Sequence, residues 1–246
     1  MSHAKNVEAF EKLLGICTGY GEEYKPGSTN LRTERLSDLL TRAKAAMLSV
    51  SKAKTGFENA TDQREVTSNE INQLVSRAFA ELKSSGALPQ SINNARVMVR
   101  KIKGRSAGVS RPSLSPAIKA TLESDASPPV SMLTRIYGSD YGSTIYHFEK
   151  LLQTLASEPL YQPGAPQLQV QNLNEKLTTF RNQNAMVNKA FAELSKTRSE
   201  RNAVLYVERN SLYNTAMAVK QQMKAVFGFG TEVAHAAGRI RFRKSL

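Results

Sequence analysis

At 246 residues the chain is long enough for one large domain or two small ones, and a core of ordinary size needs no covalent staple. Hydrophobic residues at 40% and charged residues at 22% match a soluble globular protein, and the wealth of Leu, Ala, Lys, Glu and Gln favours helix over sheet. The single cysteine, Cys17, excludes an intrachain disulfide, and a metal site would have to draw on the scattered His3, His147 and His235. The formal charge of +13 divides into +7 for residues 1–123 and +6 for residues 124–246, so the excess is not one basic tail.

Residues 1–10 carry no apolar run that would make a secretory leader. No stretch approaches the ~18 consecutive apolar residues of a membrane span. The expected setting is cytoplasmic and soluble.

The pattern predicts an all-α fold. A short helix spans 6–16, with Phe10, Leu13 and Leu14 on one face and Gly15, Gly19 and Gly21 at its end. Tyr24-Lys25-Pro26-Gly27 reads as a turn. A long helix follows from Ser28 or Thr29 to about Phe57. Its seam of Leu36, Leu40, Ala43, Met47, Val50, Lys54 and Phe57 alternates steps of four and three, as in a coiled coil. Gly56 and Asn59-Ala60-Thr61 predict a break, and a second helix should return over 62–83 on Ile71, Leu74, Val75, Ala78, Phe79 and Leu82. Ser84-Ser85-Gly86 stops it, and Pro89 opens another helix reaching about Ile102.

Residues 104–142 are rich in Ser, Pro and Gly and read as a linker, with one helical turn near 117–122. Beyond it the chain repeats itself. Phe148-Glu149-Lys150-Leu151-Leu152 matches Phe10-Glu11-Lys12-Leu13-Leu14 letter for letter, and Tyr161-Gln162-Pro163-Gly164 matches the Tyr24 turn. A second seam of Leu173, Leu177, Phe180, Asn184, Val187, Phe191 and Leu194 follows, with Arg201 falling on Arg64 and Lys220 on Lys83. Identity at matching turns points to duplication: a first helical repeat at 1–103 and a second at 143–246. No Gly or Pro interrupts 167–227, so the hairpin turn of the second repeat is expected near 194–200, with Thr197 capping the return helix. That helix buries Leu205, Leu212, Ala216, Val219, Met223 and Val226, Gly228 and Gly230 end it, and Thr231 caps a last helix to about Ala237. Each repeat therefore reads as a bundle built on its own helical hairpin.

Arg201-Asn202-x-Val204-Leu205-Tyr206, Val219-Lys220 and Val226-Phe227-Gly228 resemble a family of all-helical bacterial proteins built from two related repeats and without an established activity. Asn94-Ala95-Arg96 through Arg100-Lys101-Ile102-x-Gly104 resembles the end of that family's first repeat. The resemblance implies a helical fold, and Phe229-Gly230-Thr231 departs from it.

Chemistry-bearing motifs are sparse. Gly19-Tyr20-Gly21 and Gly228-Phe229-Gly230 lack the third glycine of a dinucleotide loop and follow no predicted strand. His147-Phe148-Glu149 lacks the paired cysteines of a zinc deaminase. Cys17 has no base beside it in sequence. The residues therefore propose no catalytic, cofactor or metal site and no small-molecule substrate. Asn184 is a polar residue inside a seam, where it can fix register, and Arg209, in a similar seam position on the return helix, can meet Asn184 or an acid. The sharper candidate is the basic end of each repeat: Arg100, Lys101, Lys103 and Arg105, then Arg239, Arg241, Arg243 and Lys244. Such a patch attracts phosphates or acidic protein surfaces. The expected function is a non-enzymatic helical interaction or scaffold protein, associating with a protein partner or with itself through helical faces and without a membrane. The alternative is a nucleic-acid-binding accessory protein that uses the duplicated basic ends.

Overall fold

A computed structural model describes residues 3–104 and 139–244. Most of the expected linker, its helical turn and Arg105 lie outside the described residues. Among the described residues every regular element is helical. Helix α1 spans His3–Gly19, α2 Thr33–Ser84, α3 Pro89–Ile102, α4 Ser139–Ala156, α5 Val170–Asn202, α6 Leu212–Phe227 and α7 Glu232–Arg239. A π-helical turn, Ala203–Val207, follows α5 directly. None of these helices is long and apolar enough to cross a membrane.

The hairpin expected in the first repeat does not form, because α2 runs unbroken for 52 residues. One glycine inside a helix costs only ~1 kcal/mol relative to Ala. Burial of Val50 and Phe57 on either side outweighs that cost. The Thr61 hydroxyl donates back to the Phe57 carbonyl at 2.9 Å, so the polar stretch after Gly56 is accommodated without leaving the helix. The heptad also never breaks. Leu36, Ala43, Val50, Phe57, Arg64, Ile71 and Ala78 follow one another at steps of seven, and all are buried.

The second hairpin turn is also displaced. Helix α5 continues past 194–200, and Thr197 lies buried with its hydroxyl bonded to the Glu193 carbonyl at 3.1 Å rather than capping a helix. The chain turns at 208–211, where Ser211 Oγ accepts from the Asn214 N–H at 3.4 Å and caps α6. Helix α4 starts at Ser139, inside the expected linker.

The chain forms two compact units that do not follow chain order. The first joins Met1–Thr55 to Ala192–Leu246, and the second is Gly56–Phe191. In the first unit, α1 and the start of α2 share a core with the π turn, α6 and α7 through Phe10, Leu13 and Leu36 against Leu205, Leu212 and Val219. In the second, the rest of α2 and α3 share a core with α4 and α5 through Ile71, Val75 and Ile102 against Phe148, Leu173 and Phe180. Within the second unit α2 and α5 run antiparallel: Phe57 meets Phe191 at 6.1 Å between rings, Arg64 meets Asn184, and Glu70 meets Lys176 at 2.9 Å.

Both units hold the same local turn. The Tyr24 hydroxyl donates to the Leu31 carbonyl at 3.0 Å, and the Tyr161 hydroxyl to the Leu168 carbonyl at 2.8 Å. Each closes over a short 3-10 turn, Thr29–Leu31 and Pro166–Leu168, that leads into a long helix.

Candidate functional site

In the second unit, Arg100 and Lys101 occupy the last turn of α3, where a cation complements the helix dipole. Both are exposed, and Lys103 is half-buried after the helix end. Gly104, at φ 60°, turns the chain there with its N–H on the Lys101 carbonyl at 3.1 Å. From α4, His147 lies within electrostatic reach of Lys101 at this end. His147 is held below its ordinary value, first by burial and then by the charges of Lys101 and Lys150. Lys150 lies 4.8 Å from the ring of Tyr146, itself exposed. An open polar groove of about 400 Å³ runs between α3 and α4, lined by Ser91, Asn94, Met98, Lys150, Gln153 and Thr154. The carboxylate of Glu149 is taken by Arg181 at 2.6 Å.

In the first unit, Arg239 ends α7, and Arg241, Arg243 and Lys244 are exposed on the extended segment after it. Ile240 and Phe242 alternate with the arginines and pack against the core. The segment is fastened on both sides. The Asn6 side-chain amide donates to the Arg243 carbonyl at 2.7 Å and accepts from the Arg243 N–H at 3.1 Å. Lys220 donates to the Ile240 carbonyl, and its ammonium lies 5.3 Å from the Phe242 ring. Burial and then Lys224 hold the Lys220 pKa below its ordinary value. The result is a fastened row of three exposed arginines, Arg239, Arg241 and Arg243. The two basic ends belong to different units.

Sequence reasoning passed over an aromatic edge in the first unit. Tyr20, after α1, packs against Phe227 at the end of α6, with ring centroids 5.0 Å apart. Two residues on, Phe229 is 81% exposed. The turn that carries it is clamped. Gly228 takes φ 92°, a conformation that disfavours any side chain, and its N–H bonds to the Lys224 carbonyl at 3.0 Å. The Thr231 hydroxyl donates to the Gly228 carbonyl at 3.2 Å, and its oxygen accepts from the Ala234 N–H at 3.4 Å as the cap of α7. The Gly-Phe-Gly that fails as a nucleotide loop carries one outward aromatic ring on a hydrogen-bonded turn.

The remaining sequence candidates resolve as structural residues. Asn184 accepts from Arg64 Nη1 at 3.0 Å, while Arg209 is exposed on the turn before α6 and is not its partner. Arg64 is 2% exposed, and its guanidinium lies 4.0 Å over the Tyr141 ring. Cys17 is fully buried, and burial pushes its thiol up to about 11, the opposite of what a nucleophile needs. Among the described residues, no three His, Cys, Asp or Glu side chains gather as metal ligands would.

Compared with protein-family models, curated proteins and solved structures, the chain matches none.

Proposed function

We propose that this chain is a non-enzymatic helical interaction or scaffold protein of the cytoplasm, and that the aromatic edge of its first unit is the contact. Phe229 carries the reading: a large apolar ring, 81% exposed, fixed on a clamped turn beside the Tyr20–Phe227 pair. Aromatic side chains with little freedom to lose make strong interface anchors. The polar and charged helix faces around the cores suit a protein that offers surface rather than an enclosed cavity.

The same reading takes the chain as two related repeats, 1–103 and 143–246, around a Ser/Pro-rich linker at 104–142. The paired tyrosine turns, the repeated Phe-Glu-Lys-Leu-Leu and the equivalent basic ends support it. Kinship with the two-repeat bacterial helical family belongs to this proposal.

The test is a photo-reactive phenylalanine analogue at position 229 in the full chain. A discrete protein adduct that weakens at least fivefold with Tyr20→Ser supports the contact. Labelling no stronger than from exposed Thr178 contradicts it.

The fixed arginine row favours a second reading, in which the basic ends bind the phosphate backbone of nucleic acid. Changing Arg239, Arg241 and Arg243 together to Gln should then lower the slope of log affinity against log salt by ~1 for each phosphate that is no longer neutralised. No binding to random-sequence DNA or RNA at low salt removes this reading.

A further inference from the structure

Neither core closes without both ends of the chain. The first needs Phe10, Leu13 and Leu36 from the N-terminal segment and Leu212, Val219 and Met223 from the C-terminal one. The second needs Ile71, Val75 and Leu82 from the N-terminal segment and Phe148, Leu151 and Phe180 from the C-terminal one. The polar contacts that fix register also cross between segments. Asn6 donates to the Tyr206 hydroxyl at 3.1 Å, Arg42 meets Glu208 at 3.2 Å, and Lys176 meets Glu70 at 2.9 Å. The covalent tie between the segments is the 34 residues at 105–138, which lie outside the described residues.

We propose that residues 3–104 and 139–244 are complementary, exchangeable partners, and that a second copy of this chain supplies either one in trans to give a reciprocally exchanged dimer. All the core and register contacts named above recur unchanged when the segments come from different chains. Closure within one chain wins at low concentration because the tie raises the local concentration of the partner segment. Exchange gains as chain concentration rises, and refolding from denaturant gives every segment a free choice. This identifies the partner for self-association under the scaffold reading, and it rests on that reading only for its biological use.

Complementation between two damaged full-length chains tests it. One carries Phe10→Asp with Ile71→Asp, which spoils the N-terminal segment for both cores. The other carries Phe148→Asp with Leu212→Asp, which spoils the C-terminal segment for both. Each refolded alone should lose most of its helical circular dichroism. Refolded together, they should regain at least half of the signal expected for one intact pair of segments and appear in native mass spectrometry as a heterodimer. A mixture whose spectrum is the average of the two separate spectra, with no heterodimer, overturns the proposal. Alanine in place of aspartate at the same four positions reads the same exchange if the charged variants precipitate. Phe229 and Tyr20 are untouched in every chain used, so failed exchange and failed aromatic contact are separate results.

Discussion

The two units answer the same packing problem at matched positions with different polar residues. Subtracting 137 or 138 from the second half of the sequence places Arg201 on Arg64, Tyr141 on His3 and Thr144 on Asn6. In the second unit the long helix α2 passes straight through, and Arg64 covers Tyr141 while bonding Asn184. In the first unit Arg201 instead donates to neighbouring Asn202 at 3.1 and 2.9 Å, and the helix gives way to a π turn. That wider turn brings consecutive Leu205 and Tyr206 both into the core. The Tyr206 hydroxyl then meets His3 Nδ1 at 2.8 Å and Asn6 at 3.1 Å. Thus one helical frame with a buried arginine at the matched position tolerates either a continuous helix or one that gives way to a π turn with a buried phenol.

The largest effects should come from the apolar residues that the two units share. Phe10→Ala and Phe148→Ala, at identical places in the repeated pentapeptide, should each cost about 3–5 kcal/mol in urea unfolding. A loss under 1 kcal/mol for either would mean that its core does not depend on that ring. Next come the polar layers. Tyr206→Phe removes the hydroxyl shared by His3 and Asn6, and Arg64→Met leaves the Asn184 oxygen without that donor. Each should cost about 1–3 kcal/mol. If Arg64→Met were stabilising instead, the buried guanidinium would be a burden that the second unit carries.

A smaller change in the opposite direction separates one long helix from a hairpin. Gly56→Ala puts a methyl group into open space and should stabilise the chain by up to ~1 kcal/mol. A hairpin turn at that glycine would make the same change destabilising.

Titration gives the smallest effect. His147 has its folded pKa lowered, so the protonated ring is disfavoured in the second unit. Stability is intact above the ordinary value of 6.5 and declines as pH falls below it, and His147→Gln should flatten that decline in melts from pH 8 to 5. In the first unit the sign reverses. The Cys17 pKa is raised to about 11 from 9.0, so stability is full below 9.0 and falls as pH rises through that window.

Much of the fold was legible as faces and little of it as partners. The seams Leu36–Phe57 and Leu173–Leu194 are buried nearly as their spacing requires, and the tyrosine turns, Pro89 and Thr231 do what their residue types suggest. The continuity of α2 was also written in the sequence, because Phe57, Arg64 and Ile71 keep the step of seven across the supposed break. Gly56 and an arginine in the seam hid it. Which faces meet was not legible. A hairpin within each half of the chain and a pairing between the halves bury the same heptad positions, so periodicity cannot separate them. Among the candidate residues, the basic ends were visible as charge, whereas the exposure of Phe229 was not visible. Residue type alone does not tell that a phenylalanine stands in solvent.

Cutting the chain shows whether both cores are built from both ends. With a protease site placed between Gly104 and Ser139, the cleaved protein is examined by native mass spectrometry and circular dichroism without denaturant. With cores shared between both ends, the two pieces stay together near 27.1 kDa, plus the inserted site, with helicity unchanged. Two separate pieces, each keeping its helicity, would show that each half folds on its own hairpin and would contradict it.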